Sequence, residues 1–291
     1  FYFKIFLVLC LYLIILSFLS SNFYSIKSSV FYFRFGLCAL AIGYFITQKP
    51  EILKIILYLF LSIYIILFID SIFQYHFLKN IFGLEYINIQ NFRITSFFGE
   101  DEVLGSYTVR FFPLILFLVL WNNKGNLDNI NVIIIISSLT IITFTIILLS
   151  GERTSLGLFC LSFIFIFLSS KKFRKLFIIP LALIILVFGF TISTSEKIKN
   201  RIVTQTINQM GLNPGSERMV MFSKTYEGHF IISYNMFKEK PIVGHGPKMF
   251  RYYCIKEENF VAPNACTTHP HNFYAQSLAE TGIIGFFVLL S

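Results

Sequence analysis

Charge is the scarcest ingredient of this 291-residue chain: Asp, Glu, Lys and Arg together make up 13% of it, about half the usual share of a soluble domain. With 56% hydrophobic residues and 37 Phe, a soluble fold of this size would have no wettable exterior left. That excludes a water-soluble globule and makes the bilayer the natural solvent. Cysteine is also sparse, five in all, too few for a disulfide-built scaffold. No G-x-x-x-x-G-K-[ST], G-x-G-x-x-G, H-E-x-x-H or G-x-S-x-G occurs, so a nucleotide-driven reaction is unsupported. Asp-rich pairs suited to a divalent ion on a diphosphate are missing as well. Any phosphate handling therefore rests on Arg and Lys, with no metal and no cofactor expected. The formal net charge of +9 lies largely beside hydrophobic runs, where it reads as a topology signal and not as a nucleic-acid footprint.

What the chain does contain is long apolar runs. A membrane helix takes about 20 such residues. Runs of that kind lie near 2–20, 30–47, 52–69, 104–121, 130–150, 155–169 and 176–193, and an eighth begins near 275. Backbone groups in lipid must be satisfied within their own segment, so these are helices. The expected fold is an all-α polytopic membrane protein of about eight transmembrane helices with a large, partly helical outward loop. The first run has no small-residue cleavage site before Ser20-Ser21-Asn22, which makes it a membrane span and not a signal peptide. The chain starts without Met and its last run, Ile283 to Leu290, is too short to span, so a fragment truncated at both ends is expected.

Basic residues in short links mark the cytoplasmic side. Lys171, Lys172, Arg174 and Lys175 crowd the link after the sixth run, Lys49 and Lys54 flank the one after the second, and Lys124 lies in the one after the fourth. The links at 21–29, 70–103, 150–154 and 194–274 then face outward. The expected organisation is 1–69 as N-terminal spans, 70–193 as core spans with the outward loop 70–103, 194–274 as the large outward loop, and 275–291 as the start of a last span. Within that loop, Ser223 to Lys240 has Tyr226, Phe230, Tyr234 and Phe237 at helical spacing. Pro241 and the turn Gly244-His245-Gly246-Pro247 end it.

The densest polar cluster is Cys266-Thr267-Thr268-His269-Pro270-His271-Asn272, followed by Gln276 and Glu280. Asn272 is placed to cap a helix starting near Phe273. His271 would then stand at the membrane surface, where a neutral imidazole is a general base; the plainer reading has both His only bonding the loop. Arg153, between two apolar helices in Ser150-Gly151-Glu152-Arg153-Thr154-Ser155, needs a partner so close to hydrocarbon. Glu152 is the plain one and a phosphate the functional one, held by the guanidinium fork. Arg110 lies deeper, and the expectation favours a structural pair with Glu100, Glu102 or Asp70 over substrate contact. Arg218 and His229 flank the start of the loop helix, where either meets the bilayer surface or plain solvent. Cys254 and Cys266, both in the outward loop, suit a disulfide in an oxidising compartment, worth about 3 kcal/mol in the chain-entropy model. Cys266-x-x-His269 also has zinc-ligand spacing, ranked lower because no second close-spaced pair completes a site.

The stretch from Thr268 to Gly285, Thr-His-Pro-His-Asn-Phe-Tyr-Ala-Gln-Ser-Leu-Ala-Glu-Thr-Gly-Ile-Ile-Gly, resembles the closing signature of the O-antigen ligase and polymerase family of bacterial envelope enzymes. Upstream, Met236 to Gly246 resembles that family's helix-Pro-Gly-x-Gly segment, and Gly151-Glu152-Arg153-Thr154 its arginine motif at a helix boundary. The resemblance implies a metal-independent glycosyltransferase of the bacterial inner membrane, its active site facing the periplasm. Its donor would be a glycan on undecaprenyl diphosphate, and its acceptor the lipid A core or another glycan. By motif, His271 matches the family's base and Arg153 its first diphosphate-binding Arg. Arg218 stands nearest the second, with His229, His269, Asn272, Arg110 and Gln276 as substrate-contact candidates. Alternatives are a polymerase of the same family or a polytopic transporter. Transporters place their polar groups mid-membrane on broken helices, whereas here most lie in one outward loop.

Overall fold

The computed structural model describes residues 2–85, 93–214, 219–220 and 223–290. In chain order the helices are α1 (Tyr2–Leu19), α2 (Phe23–Val30), α3 (Arg34–Gln48), α4 (Ile52–Phe77), α5 (Leu104–Asn122), α6 (Ile130–Ser150) and α7 (Arg153–Ser169). There follow α8 (Lys171–Thr194), α9 (Glu196–Lys199), α10 (Gln205–Gln209), α11 (Lys224–Glu239), α12 (Phe250–Tyr253) and α13 (Phe273–Leu290). Among the described residues there is no strand beyond one isolated bridge, Lys79–Glu85. Six helices are long and apolar enough to cross a membrane, and Phe3–Leu19 and Arg153–Ser169 are shorter apolar ones. The protein is all-α and multi-pass, as its hydropathy predicts.

The boundaries moved where capping chemistry outweighed hydropathy. Asn22 accepts from the amides of Tyr24 and Ser25 and starts a helical run at Phe23, before the apolar stretch. Ser170 accepts from Phe173 and draws Lys171, Lys172, Arg174 and Lys175 into the first turns of α8. A polar side chain satisfying an orphan amide sets a helix start that apolar periodicity cannot see. The end of α4 runs on to Phe77 because its polar residues are used: Asp70 Oδ1 accepts from the Ile81 amide at 2.7 Å, and Gln74 Oε1 from the Ser96 amide at 2.7 Å.

The chain groups into two compact units, Phe1–Thr47 with Gln209–Ser291, and Gln48–Asn208. The second is a bundle of α4 to α9. Its core is aromatic: Phe112, Phe144, Phe159, Phe163 and Phe177 are all buried in one cluster. Large apolar side chains such as Phe165 and Phe190, 74% and 70% exposed, cover the outside of α7 and α8, as a lipid-facing surface requires. In the first unit α1 packs on α2 and α13, and α11 on α13.

Candidate functional site

The polar chemistry of the first unit is built around α11 and α13. Ser223 accepts from the Tyr226 amide and starts α11. The helix buries Gly228, His229, Ile232, Ser233 and Met236. Its aromatic stripe takes another role: Phe230, Tyr234 and Phe237 line a groove of 340 Å³ whose other wall includes Tyr274 and Leu278 of α13. The small side chains at 228 and 233 let neighbours approach closely, so the inward face is set by packing and not by hydropathy alone.

Helix α13 is broken at Gly282, which has φ 64°. An unbroken helix would bond the amides of Ile283 and Ile284 to the carbonyls of Ala279 and Glu280. The loop from Pro241 to Gly246 inserts there instead. The carbonyls of Pro241 and Ile242 accept from Ile283 and Ile284 at 2.9 and 3.4 Å, while the amides of His245 and Gly246 donate to Ala279 and Glu280 at 3.2 and 2.8 Å. All four freed groups are satisfied, as an interrupted membrane helix demands. A side chain at Gly282 would collide with the Ile242 backbone. The Pro-x-x-Gly-x-Gly stretch and the Glu-Thr-Gly stretch are thus two halves of one device.

Glu280 anchors it from the α13 side. Its carboxyl accepts from the Phe250 amide at 3.1 Å and from Gln276 Nε2 at 3.0 Å. Asn272 Oδ1 accepts from the Ala275 amide at 2.9 Å, capping α13.

Three imidazoles meet above this frame. His229 is buried, and its Nδ1 lies 2.7 Å from the Ala265 carbonyl oxygen. A carbonyl only accepts, so Nδ1 carries the proton and Nε2 holds the lone pair of the neutral ring. The His229 and His271 ring centres are 5.2 Å apart, and those of His269 and His271 4.3 Å. Both His269 and His271 are exposed. His271 sits in the left-handed region, with φ 53°, a conformation non-glycine residues hold only when their surroundings impose it. Gly228 gives the close approach of α11 to the 263–265 turn, where a Cβ would meet that of Ala265. A disulfide joins Cys254 and Cys266, with Cα atoms 5.2 Å apart, and so fixes the chain next to the Ala265 carbonyl. Burial pushes His229 below its ordinary value, the Ala265 bond opposing and the nearby His271 adding. Burial also lowers His269, helped by charge on His271, Lys248 and Arg251. His229 and His269 are therefore favoured as uncharged imidazoles at neutral pH, the form that takes up a proton.

In the second unit, Glu152 is 9% exposed and grips another helix. Its carboxylate accepts from the amides of Gly105 and Ser106 at 2.7 and 2.9 Å, at the start of α5, and from Ser155 Oγ at 2.9 Å. An anion at the first amides of a helix is in its best place. Glu152, read from sequence as the plain partner of Arg153, thus also ties the start of α5 to Ser155. Arg153 is half-buried at the first position of α7. Gly151, left-handed, ends α6, and Arg201 Nε donates to its carbonyl at 3.2 Å. Sequence reasoning passed over Arg201, whose position beside the arginine motif comes from a contact 50 residues away. Of the three acids expected for Arg110, Glu102 pairs with Arg93, and Asp70 bonds Ser96 and Ile81. Arg110 is exposed on α5. Arg218 lies outside the described residues.

A family model described as O-antigen ligase matches residues 138–290, more than half of the 291 residues. The chain belongs to the O-antigen ligase family. It is a multi-pass membrane glycosyltransferase of the O-antigen ligase and polymerase type. The matched region contains Arg153, the spliced loop and all three clustered imidazoles, whereas Arg110 falls before it. No curated protein and no solved structure matches the chain.

Proposed function

We propose that the protein transfers a glycan from undecaprenyl diphosphate to an acceptor hydroxyl at the outer face of the inner membrane. His271 takes the proton from that hydroxyl as its oxygen attacks the anomeric carbon. The bond from that carbon to the diphosphate breaks, and undecaprenyl diphosphate leaves with the electron pair. Arg153 binds the diphosphate as its charge develops, the kind of fixed-charge stabilisation that acts most strongly in the transition state. The observation that carries this reading is the exposed imidazole of His271 beside a buried, neutral His229, within the region matched to the O-antigen ligase family. His269 and Asn272 border the same position, and Gln276 acts through Glu280. No step calls for a metal or a nucleotide.

The test is reconstitution in liposomes with an undecaprenyl diphosphate-linked glycan and candidate acceptors. Release of undecaprenyl diphosphate without added nucleotide, together with a larger acceptor, is the expected result. A single addition marks a ligase and a ladder of products a polymerase. Near-normal transfer by both His271→Ala and Arg153→Ala would sink the mechanism.

A further inference from the structure

A second concentration of positive charge lies in the first unit, on residues that the resemblance does not single out. Lys27 and Arg34, from the run α2–α3, and Lys248, two residues past the spliced loop, line one cavity of 760 Å³. The rest of its wall includes the rings of Tyr24, Phe31 and Tyr32, and no carboxylate among the described lining residues. A smaller cavity of 180 Å³ adjoins it, sharing Ser28, Tyr32 and Lys248 and reaching Glu280 on α13. A fourth cation stands at its rim, where the Arg251 guanidinium lies 4.6 Å from the centre of the Tyr24 ring.

Several of these groups are organised but unsatisfied. Ser29, 1% exposed, lines the smaller cavity and its Oγ has no hydrogen-bond partner among the described residues. The Nε of Arg251 is likewise buried and without one. A buried donor left unbonded costs free energy that a ligand atom recovers. Lys248 is held in the left-handed region with φ 64°. That conformation is imposed by its neighbours, since Phe250 two residues on is gripped by Glu280 and Gly246 by the broken helix. Lys248 also feels the buried Glu280 carboxyl of the adjoining cavity, whereas Lys27 and Arg34 have no acid among the described lining residues, so an anion between them relieves their repulsion.

The position of the cavity restricts what that anion is. Phe23–Gln48 is one of the helical runs long and apolar enough to cross a membrane; Lys27 falls in its second turn, and Arg34, its twelfth residue, opens α3. Basic and aromatic side chains at the end of a span lie at headgroup depth. The rings then offer apolar surface to a tail while the cations face the head.

We infer that this cavity binds a phosphorylated lipid, its phosphate held by Lys27, Arg34 and Lys248 and the start of its tail laid along Tyr24, Phe31 and Tyr32. The donor of the proposed reaction and an ordinary anionic phospholipid both carry that chemistry. The charges of Lys248 and Arg251 reach His269, so an occupied site is electrically linked to the imidazole cluster. A phosphate there offsets part of the positive field on His269.

The site is tested on the full chain in detergent, with farnesyl diphosphate, farnesol, inorganic diphosphate and phosphatidylglycerol as probes. Farnesyl diphosphate is expected to bind and farnesol to bind at least tenfold more weakly. Lys27→Ala with Arg34→Ala, both exposed positions, is expected to weaken farnesyl diphosphate tenfold or more. Lys248→Gln should weaken it several-fold and Lys248→Arg should restore it. Displacement by phosphatidylglycerol at equal affinity identifies a general phospholipid site, and failure of phosphatidylglycerol to compete identifies the donor class. The inference is overturned if the double variant binds within twofold of the parent chain, or if inorganic diphosphate binds as tightly as farnesyl diphosphate. Binding is measured without an acceptor, so a failure of the transfer mechanism and a failure of this site are read separately.

Discussion

In the unit formed by Gln48–Asn208 a side chain organises backbone: the Glu152 carboxylate holds the first amides of α5 and so fixes the turn that carries Arg153. In the other unit backbone organises side chains. The Ala265 carbonyl sets the tautomer of His229, the Met236 carbonyl lies 2.9 Å from His245 Nε2, and a loop backbone fills the gap in α13. The difference follows from what each group must do. A cation motif tolerates a fixed anion nearby, because Arg stays charged at any accessible pH. The pinned imidazoles, His229 and His245, are held by carbonyl oxygens, which only accept and so fix the proton on the bonded nitrogen of the neutral ring. Regular helices with a Phe-rich core suffice for the first arrangement. The second needs a helix break, a disulfide and residues in left-handed backbone.

The comparison is broken most sharply by removing the groups themselves. His271→Ala is expected to lower transfer by about 10²–10⁴-fold, the range for loss of a general base, with membrane insertion unchanged. Arg153→Ala should lower it comparably, and Arg153→Lys should rescue little if the guanidinium fork is what binds. Retained turnover in liposomes for either alanine variant would assign that residue a merely structural part.

Cys254→Ser with Cys266→Ser should destabilise the first unit by about 3 kcal/mol in the chain-entropy model. Transfer should fall as well, because the Ala265 carbonyl is no longer fixed. A thermal midpoint unmoved by the substitution and by reductant would show that the turn holds without the bond.

Glu152→Gln should cost about 1–3 kcal/mol, the toll of leaving a buried amide unbonded, and should loosen the start of α5. Hydrogen exchange at Gly105 and Ser106 reports this directly. Unchanged protection there would mean that the carboxylate is not what caps the helix.

The smallest effect expected is on pH dependence. Burial lowers both His229 and His245. Below about pH 6.5 the unfolded chain takes up protons on these rings before the folded chain does. Stability is therefore full above that value and falls as the medium is acidified towards the lowered folded values. Unfolding midpoints at pH 7.5 and 5.5 measure the slope, and His229→Gln should flatten it. A slope of the opposite sign would place charged imidazoles in the folded state.

Much of the fold was legible in the chain because the cause is local. Twenty apolar residues in a row need a bilayer, and a backbone in a bilayer needs to be helical. Asn22 and Ser170 shifted helix starts by a few residues, since a cap is one side chain against a long apolar average, while the start of α11 at Ser223 stood where the spacing put it. The motif residues Arg153, His271 and Asn272 were likewise visible, through their resemblance to the O-antigen ligase family. Other features were not. The bond from His229 to Ala265 spans 36 residues, that from Glu152 to Gly105 spans 47, and that from Arg201 to Gly151 spans 50. The cavity of Lys27, Arg34 and Lys248 joins the two ends of the chain. By itself the sequence determined solvent, secondary structure and family, since each follows from composition and short-range pattern. Only the tertiary structure decided which imidazole is pinned, which carboxylate is spent and where the cations gather. Those depend on groups brought together by packing across long separations, which no window along the chain contains.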